Sequence, residues 1–175
     1  MQAVTAVIDY NIYRWSVGGR GEGVSAWHDN TVQALAFSPA SGLLAAGCAG
    51  GALSLWPPDT SAHAPVMTQV DGHDLGVTGC QFSREGALVT AGNDGDVKIW
   101  SVHWAERELR CEAVIRAHHT SILSLWLSEE ILVTGAGDKT SKVKENYKGE
   151  SKLFENTPQL MKLQLSSSSL LYKSS

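Results

Sequence analysis

One short motif recurs along this chain and constrains its fold more than any other feature. In "GNDGDVKIW", residues 92–100, Asp94 lies six residues before Trp100. Thr90 lies four residues before Asp94, and His73 lies seventeen residues before Thr90. When such a frame repeats along a chain, it is the signature of a fold assembled from stacked copies of one structural unit.

The frame occurs three more times, each time with a loss. The first copy keeps the threonine, the aspartate and the tryptophan but has no room for the histidine. The second copy keeps the histidine and the tryptophan, but small residues replace the threonine and the aspartate. The last copy keeps every position except the tryptophan, if a deletion of one residue is allowed between its histidine and its threonine. In chain order the positions are Thr5, Asp9 and Trp15; then His28, Ala46, Gly50 and Trp56; then His118, Thr134, Asp138 and Lys144.

Apolar positions repeat independently of the polar ones. The matching triplets are Val32, Leu35 and Phe37; Val77, Cys80 and Phe82; and Ile122, Leu125 and Leu127. Runs of five to seven residues rich in Val, Ile, Leu and Thr alternate with Gly, Asp, Asn, Ser or Pro, which is typical of short strands joined by tight turns. The Asp-Gly of "NDGD" favours a two-residue hairpin. The sequence therefore predicts an all-β chain with four strands per unit.

The residues Gly72 and His73, the turn at Asp94 and the strand end at Trp100 resemble the WD-repeat family. The resemblance covers roughly residues 3 to 140, and it implies a β-propeller whose four-stranded antiparallel blades surround a central channel. The aspartate that usually follows the tryptophan is replaced by Ser16, Pro57 and Ser101. The stretches "HDLGVTGCQFS" and "DVKIWSV" are also faintly similar to WD-repeat proteins that carry SAM and U-box domains, and about equally to large nucleotide-binding scaffold proteins.

These repeats predict a partial, open propeller followed by a tail. We assign residues 1–27 to a half blade with inner and outer strands only, 28–66 and 67–116 to complete blades, 117–140 to a truncated blade, and 141–175 to a low-complexity polar tail. Seven of the eight lysines lie from Lys139 onward, and no tryptophan follows Trp126. We expect the tail to be disordered and hypothesise that it arose from an alternative exon, a gene-model error or a truncation.

The WD-repeat resemblance implies a hydrogen-bonded chain of His, Thr, Asp and Trp inside each blade. A buried indole N–H needs an acceptor, which a threonine hydroxyl supplies. The alternative is a catalytic or metal-binding His–Asp pair, but its recurrence in several units favours a structural network. The predicted network residues are His73, Thr90, Asp94 and Trp100; Thr5, Asp9 and Trp15; and His118, Thr134 and Asp138.

No motif in the chain indicates an enzyme. The sequence has no nucleophile elbow, phosphate-binding loop or HExxH motif, and "GGRGEG" at 18–23 is interpreted as a hairpin loop. Three cysteines without CxxC spacing favour reduced thiols and predict a cytoplasmic or nuclear location. A net charge of −4 makes nucleic acid an unlikely partner, and no segment reads as a membrane span. We predict no catalytic residue, cofactor or metal.

The remaining hypothesis is a protein-interaction scaffold that presents a rigid propeller surface. Trp27 and Trp104 lie outside the repeat frame and are candidate partner-binding anchors, the alternative being that they pack against a neighbouring blade. Other hypotheses are a substrate- or ligand-recognition propeller of a multidomain ubiquitin ligase or nucleotide-driven scaffold protein, and a truncated product without independent function. Further blades or another chain are expected to close the ring.

Overall fold

The chain forms short β-strands throughout the part that the structure describes. This structure is a computed structural model, and it describes residues 2–6, 11–16, 26–27, 30–57, 64–129, 131–145 and 153–155. In chain order the strands are β1 Gln2–Ala6, β2 Asn11–Ser16, β3 Ala26–Trp27, β4 Val32–Phe37, β5 Leu44–Cys48, β6 Leu53–Trp56, β7 Met67–Gln69, β8 Val77–Phe82, β9 Leu88–Gly92, β10 Asp96–His103, β11 Glu108–Arg116, β12 Ile122–Leu127, β13 Ile131–Ala136, β14 Ser141–Glu145 and β15 Leu153–Glu155.

The strands form four sheets in which each strand pairs antiparallel with the next one along the chain. Sheet 1 contains β1 to β3, sheet 2 contains β4 to β7, sheet 3 contains β8 to β11, and sheet 4 contains β12 to β15. Three sheets therefore have four strands, and the sheets do not close into a ring. The all-β prediction of four-stranded antiparallel blades in an open arrangement is confirmed.

Strand pairing places the tryptophan position of the repeat at the same point of every sheet. Trp56 pairs with Leu44, Trp100 with Leu88, and Lys144 with Leu132. In sheet 1 the backbone of Trp15 pairs with that of Ala3 in the same way. The sheets are thus copies of one pattern in strand register as well as in sequence.

The first strands of sheets 2, 3 and 4 share a second feature, a shift of the pairing register near their start. The pairing skips Gln33 in β4, Thr78 in β8 and Leu123 in β12. An extra residue on one strand of an antiparallel pair is a β-bulge, which bends the strand and increases its twist. The bulge falls at the same place in sheets 2, 3 and 4, so the repeat extends to this irregularity of the backbone.

Sheets 2 and 3 pack face to face through a buried apolar layer. Trp100, at 3% exposure, lies in this layer, as does Phe82. Sheet 2 contributes Ala34, Leu43, Ala45, Leu53, Leu55 and Met67, and sheet 3 adds Val77, Leu88 and Leu109. A separate layer joins sheets 3 and 4, with Val89, Ala91, Val97 and Ile99 meeting Ile122, Leu127 and Leu132. Burial of apolar area between successive sheets holds them together.

The turns of one sheet are also hydrogen-bonded to the next sheet. The N–H of His73 donates to the carbonyl of Gly51, and the N–H of His118 donates to the carbonyl of Gly95, both at 3.0 Å. Gly51 and Gly95 have φ of +90° and +83°, and a Cβ on either would overlap the carbonyl oxygen of the histidine that it faces. Glycine is required here for both reasons.

Sheet 4 continues beyond residue 140, where the sequence predicted that a polar tail begins. Strand β14 pairs with β13, and Val143, at 3% exposure, pairs with Val133. Val143 can be buried here although lysines flank it, because a lysine can pack its aliphatic stem and keep its charged head in water. Sheet 1 likewise has three strands where a half blade of inner and outer strands was predicted. Residues 156–175 lie outside the described residues.

Candidate functional site

In sheet 3 the structure brings His73, Thr90, Asp94 and Trp100 together. The Trp100 Nε1–H donates to Thr90 Oγ1 at 2.8 Å, and Thr90 Oγ1 also lies 2.8 Å from His73 Nε2. The other ring nitrogen, His73 Nδ1, lies 2.9 Å from Asp94 Oδ2 and 3.0 Å from Oδ1. The four side chains thus form one continuous chain of hydrogen bonds across the sheet.

The donors in this chain follow from what each group can offer. The carboxylate of Asp94 accepts only, so Nδ1 of His73 carries the proton. Burial lowers the pKa of His73 below its ordinary 6.5, although the nearby Asp94 carboxylate acts in the opposite direction. The ring is therefore neutral near pH 7, and its Nε2 accepts the Thr90 hydroxyl proton while Thr90 accepts the indole N–H.

Asp94 also organises the turns at its end of the sheet. Its Oδ1 accepts the backbone N–H of Asp96 at 3.1 Å, within the turn between β9 and β10. Its Oδ2 accepts the backbone N–H of Asp74 at 3.2 Å, in the loop that leads to β8. The carboxylate thus links two separate loops to the buried histidine, a role that needs no substrate or metal.

Sheet 4 places His118, Thr134 and Asp138 in the same arrangement without a tryptophan. His118 Nε2 lies 2.8 Å from Thr134 Oγ1, and Nδ1 lies 3.0 Å from Asp138 Oδ2. Thr140, which the sequence analysis did not single out, donates its hydroxyl to Asp138 Oδ1 at 2.6 Å and its N–H to the same oxygen at 2.9 Å. The hydrogen bond from the Thr140 hydroxyl is the main reason that the pKa of Asp138 falls to about 2.

The structure describes the repeat positions of sheets 1 and 2 only in part. Ala46 and Trp56 of sheet 2 are buried, at 0% and 1% exposure, while Gly50 lies exposed in the turn between β5 and β6. Thr5, Trp15 and Trp27 belong to strands of sheet 1 whose side chains are not described. Asp9 and His28 lie outside the described residues.

The histidine, threonine and tryptophan of the sheet 3 network are buried away from any partner or substrate. His73, Thr90 and Trp100 are each at most 3% exposed. Burial raises the pKa of Cys80 to about 12, so this thiol is not a nucleophile at neutral pH. Within residues 30–57, 64–129 and 131–145, no group of three His, Cys, Asp or Glu side chains is placed to hold a metal ion.

An accessible aromatic side chain does lie at one end of sheet 3. Trp104 is 55% exposed and begins the Trp104–Arg107 turn between β10 and β11, which the Arg107 N–H closes on the Trp104 carbonyl. Because antiparallel strands alternate in direction, this turn shares its end of the molecule with the β4–β5 and β8–β9 loops. No helix in the described part of the chain is long and apolar enough to cross a membrane.

Two grooves flank the Trp104 indole. The larger, of about 470 Å³, lies between sheets 2 and 3, and its lining includes Ser41, Glu85, Ser101 and Val102. The smaller, of about 350 Å³, is lined by Pro65, Val66 and Met67 together with Trp104 and Arg107. We call this turn with its two grooves the Trp104 face. The indole therefore both adjoins the outer strand of sheet 2 and presents half of its surface to solvent.

Successive antiparallel sheets packed face to face, two of which carry the same buried His–Thr–Asp arrangement, define an open β-propeller. In the sequence, residues 23–57 and 64–101 match the model of the WD40 family, described as "WD domain, G-beta repeat".

Two curated proteins are similar to the chain. "Restriction of telomere capping protein 1" of Candida dubliniensis is 29% identical over 167 residues, which are 84% of this chain and 14% of that protein. "Ribosome biogenesis protein WDR12 homolog" of Arabidopsis thaliana is 22% identical over 139 residues, which are 77% of this chain and 31% of that protein. The chain thus spans less than a third of either relative.

Solved structures agree on the fold. The chain is similar to the structure of U3-55K and to the crystal structure of RRP9 WD40 repeats, with a TM-score of 0.72 and 25% identity in both cases. The computationally designed Ika8 protein matches with a TM-score of 0.68 and 27% identity. Each comparison covers 86% of this chain and 45 to 47% of the other one. The chain therefore corresponds to about half of these solved chains.

Proposed function

We propose that the chain acts as a non-enzymatic scaffold that binds a partner protein through the Trp104 face. The observation that carries the proposal is the half-exposed Trp104 indole between two grooves. Tryptophan is enriched among the few residues that dominate binding energy at protein interfaces, and exposed loops on a rigid scaffold commonly carry recognition.

The rigidity of the scaffold supports the proposal. The turn connects β10 and β11, the two longest described strands of sheet 3, and Trp100 at the end of the buried network lies four residues before Trp104. A surface that is already ordered loses little conformational entropy when a partner binds. The buried hydrogen bonds thus contribute to binding by fixing the position of the exposed indole.

The curated relatives are compatible with several pathways, because their names refer to telomere capping in one case and ribosome biogenesis in the other. The proposal therefore names a mode of action and no pathway. It includes the cytoplasmic or nuclear location that cysteine usage predicted. It also includes closure of the ring by further blades or another chain, and Trp27 as a second anchor.

A photo-crosslinking experiment followed by titration tests the Trp104 face. A benzoylphenylalanine at Ala105 samples this face, and one at Val114, on the outer strand β11 and 51% exposed, serves as the matched control. A protein captured at residue 105 and not at 114 is then purified and titrated. We expect Trp104→Ala to raise its Kd at least tenfold, and Val114→Ala to leave the Kd unchanged.

Both substitutions should leave the melting temperature within about 2 °C of the parent, since each side chain is more than half exposed. Equal Kd values for the parent and Trp104→Ala would remove the Trp104 face as the binding site. The other sequence hypotheses, a recognition propeller of a ubiquitin ligase or nucleotide-driven protein and a truncated product, gain no specific support from the described residues.

A further inference from the structure

The smaller groove of the Trp104 face is lined by a charged residue, Arg107, that has no partner among the residues that the structure describes. Arg84 pairs with Glu129 and Arg110 pairs with Glu108, whereas Arg107 forms no ion pair or side-chain hydrogen bond within the described part of the chain. Arg107 lines the groove together with Trp104 and Val66. An exposed guanidinium without a partner is available for a carboxylate, which it can bind with two parallel hydrogen bonds.

The backbone of Arg107 is also unusual. Its φ of +54° lies in the left-handed region, which glycine occupies far more readily than any residue with a Cβ. The chain does use glycine at two turns on the same end of the molecule, where Gly42 and Gly86 have φ of +72° and +90°. An arginine at residue 107 therefore does not serve the geometry of the turn, which points to a role for its side chain.

The groove wall next to this guanidinium is apolar. Pro65, Val66 and Met67 supply aliphatic surface and Trp104 supplies an aromatic one, around a volume of about 350 Å³. Such a groove has room for a large apolar side chain, and the guanidinium is then within reach of the next residue of an extended segment. The one other charge in the turn, Glu106, is exposed.

We infer that the smaller groove binds an extended segment of a partner protein in which a bulky apolar residue is followed by an acidic residue. The apolar side chain packs between Val66 and Trp104, and the carboxylate pairs with Arg107. This inference rests on the proposed function and adds the chemistry of the partner. It also assigns Arg107 the selection of an acidic partner over a neutral one of the same shape.

A peptide titration tests the inference with the full chain. The probes are acetyl-Gly-Ser-Leu-Glu-Ser-Gly-amide, the same peptide with Gln for Glu, and the same peptide with Ala for Leu, followed by NMR of the labelled protein. We expect the Leu-Glu peptide to shift the signals of residues 104–107 and to bind at least fivefold more tightly than the other two. Equal affinity of the Glu and Gln peptides, or no shift at the highest soluble concentration, would overturn the inference.

Arg107→Gly separates binding from folding. Glycine relieves the left-handed backbone, so the melting temperature should stay the same or rise, while the preference for Glu over Gln disappears. Glu106→Gln is the matched control and should strengthen binding slightly, because it removes a like charge. If the Glu peptide keeps its advantage in Arg107→Gly, the assignment of Arg107 is wrong. A third outcome separates this inference from the proposed function. If the parent binds the Glu and Gln peptides with equal affinity, and Trp104→Ala lowers both affinities by the same factor, the preference for an acidic partner is wrong. The Trp104 face then remains a binding site.

Discussion

Sheets 3 and 4 contain the same His–Thr–Asp arrangement but differ at the position that completes it. In sheet 3 the indole of Trp100 donates to Thr90 and fills the layer between sheets 2 and 3. In sheet 4 the same register position holds Lys144, and Thr140 adds a hydroxyl at the opposite end of the network. The two halves of the network are therefore separable: the aspartate end orders a turn, and the tryptophan end packs one sheet on the next.

The largest expected difference between the two sheets is at the tryptophan position. Trp100→Ala should lower the free energy of unfolding by about 3 to 5 kcal/mol, because it removes a large buried side chain and leaves a cavity. Lys144→Ala should cost less than about 1 kcal/mol, since this partly buried side chain is not part of a core layer. Urea unfolding followed by circular dichroism measures both.

Trp100→Phe sharpens this test. It keeps most of the packing and loses only the N–H donor, so its cost should lie nearer to that of a single hydrogen bond, about 1 kcal/mol, plus the smaller ring. If Trp100→Phe were as damaging as Trp100→Ala, the hydrogen bond to Thr90 rather than packing would dominate the contribution of the indole.

The threonines give the next largest difference. Thr90→Val leaves two buried groups without a partner, the indole N–H of Trp100 and Nε2 of His73, and should cost about 2 to 4 kcal/mol. Thr134→Val leaves only Nε2 of His118 and should cost about half as much. Equal losses in the same unfolding experiment would mean that the indole does not depend on Thr90.

Much of this architecture was predictable because its signals are local. Turn residues such as Asp94 and Gly95, and the apolar runs between them, fix strand length and register without reference to distant parts of the chain. The structure confirms the four-stranded antiparallel sheets that they predicted. Strand β14 escaped prediction because lysines on either side of Val143 resemble a solvated segment, and only strand pairing shows that Val143 is buried.

Long-range features could not be predicted from spacing. The amide of Gln81 donates to the carbonyl of Leu127 and accepts its N–H, at 3.1 and 3.0 Å, and so bonds side chain to backbone across two sheets. The equivalent positions hold Ala36 and Trp126, so no repeat marked this residue. The grooves beside Trp104 depend in the same way on how sheets 2 and 3 meet.

The turn after the aspartate offers a smaller contrast between the sheets. Gly95 and Lys139 both have positive φ, +83° and +64°, but only Gly95 faces the backbone of a described neighbouring sheet. Gly95→Ala should cost about 1 to 3 kcal/mol, because its Cβ is both strained and pressed against the carbonyl of His118. Lys139→Gly should instead stabilise by about 1 kcal/mol or less. In thermal unfolding we therefore expect Gly95→Ala to lower the melting temperature and Lys139→Gly to raise it. A Gly95→Ala variant as stable as the parent would contradict the docking role of Gly95.

The smallest expected effect is on the pH dependence of stability. The two sheets should lose stability in different pH ranges. Because burial lowers the pKa of His73 below 6.5, the unfolded chain binds a proton at a higher pH than the folded one. The contribution of His73 is therefore fully present above pH 6.5 and is lost as the pH falls below it, by at most about 1.4 kcal/mol per pH unit for one proton.

In sheet 4 the corresponding window belongs to Asp138, whose pKa falls from 3.8 to about 2 mainly through the Thr140 hydroxyl. Its contribution is present above pH 3.8 and is lost as the pH falls toward 2. NMR titration of the His73 ring and the Asp138 carboxyl checks both windows. In Thr140→Val the Asp138 midpoint should rise toward 3.8 while the His73 midpoint stays fixed. A shift of both midpoints would mean that the two networks are coupled through the layer between sheets 3 and 4, and the separation drawn between them would fail.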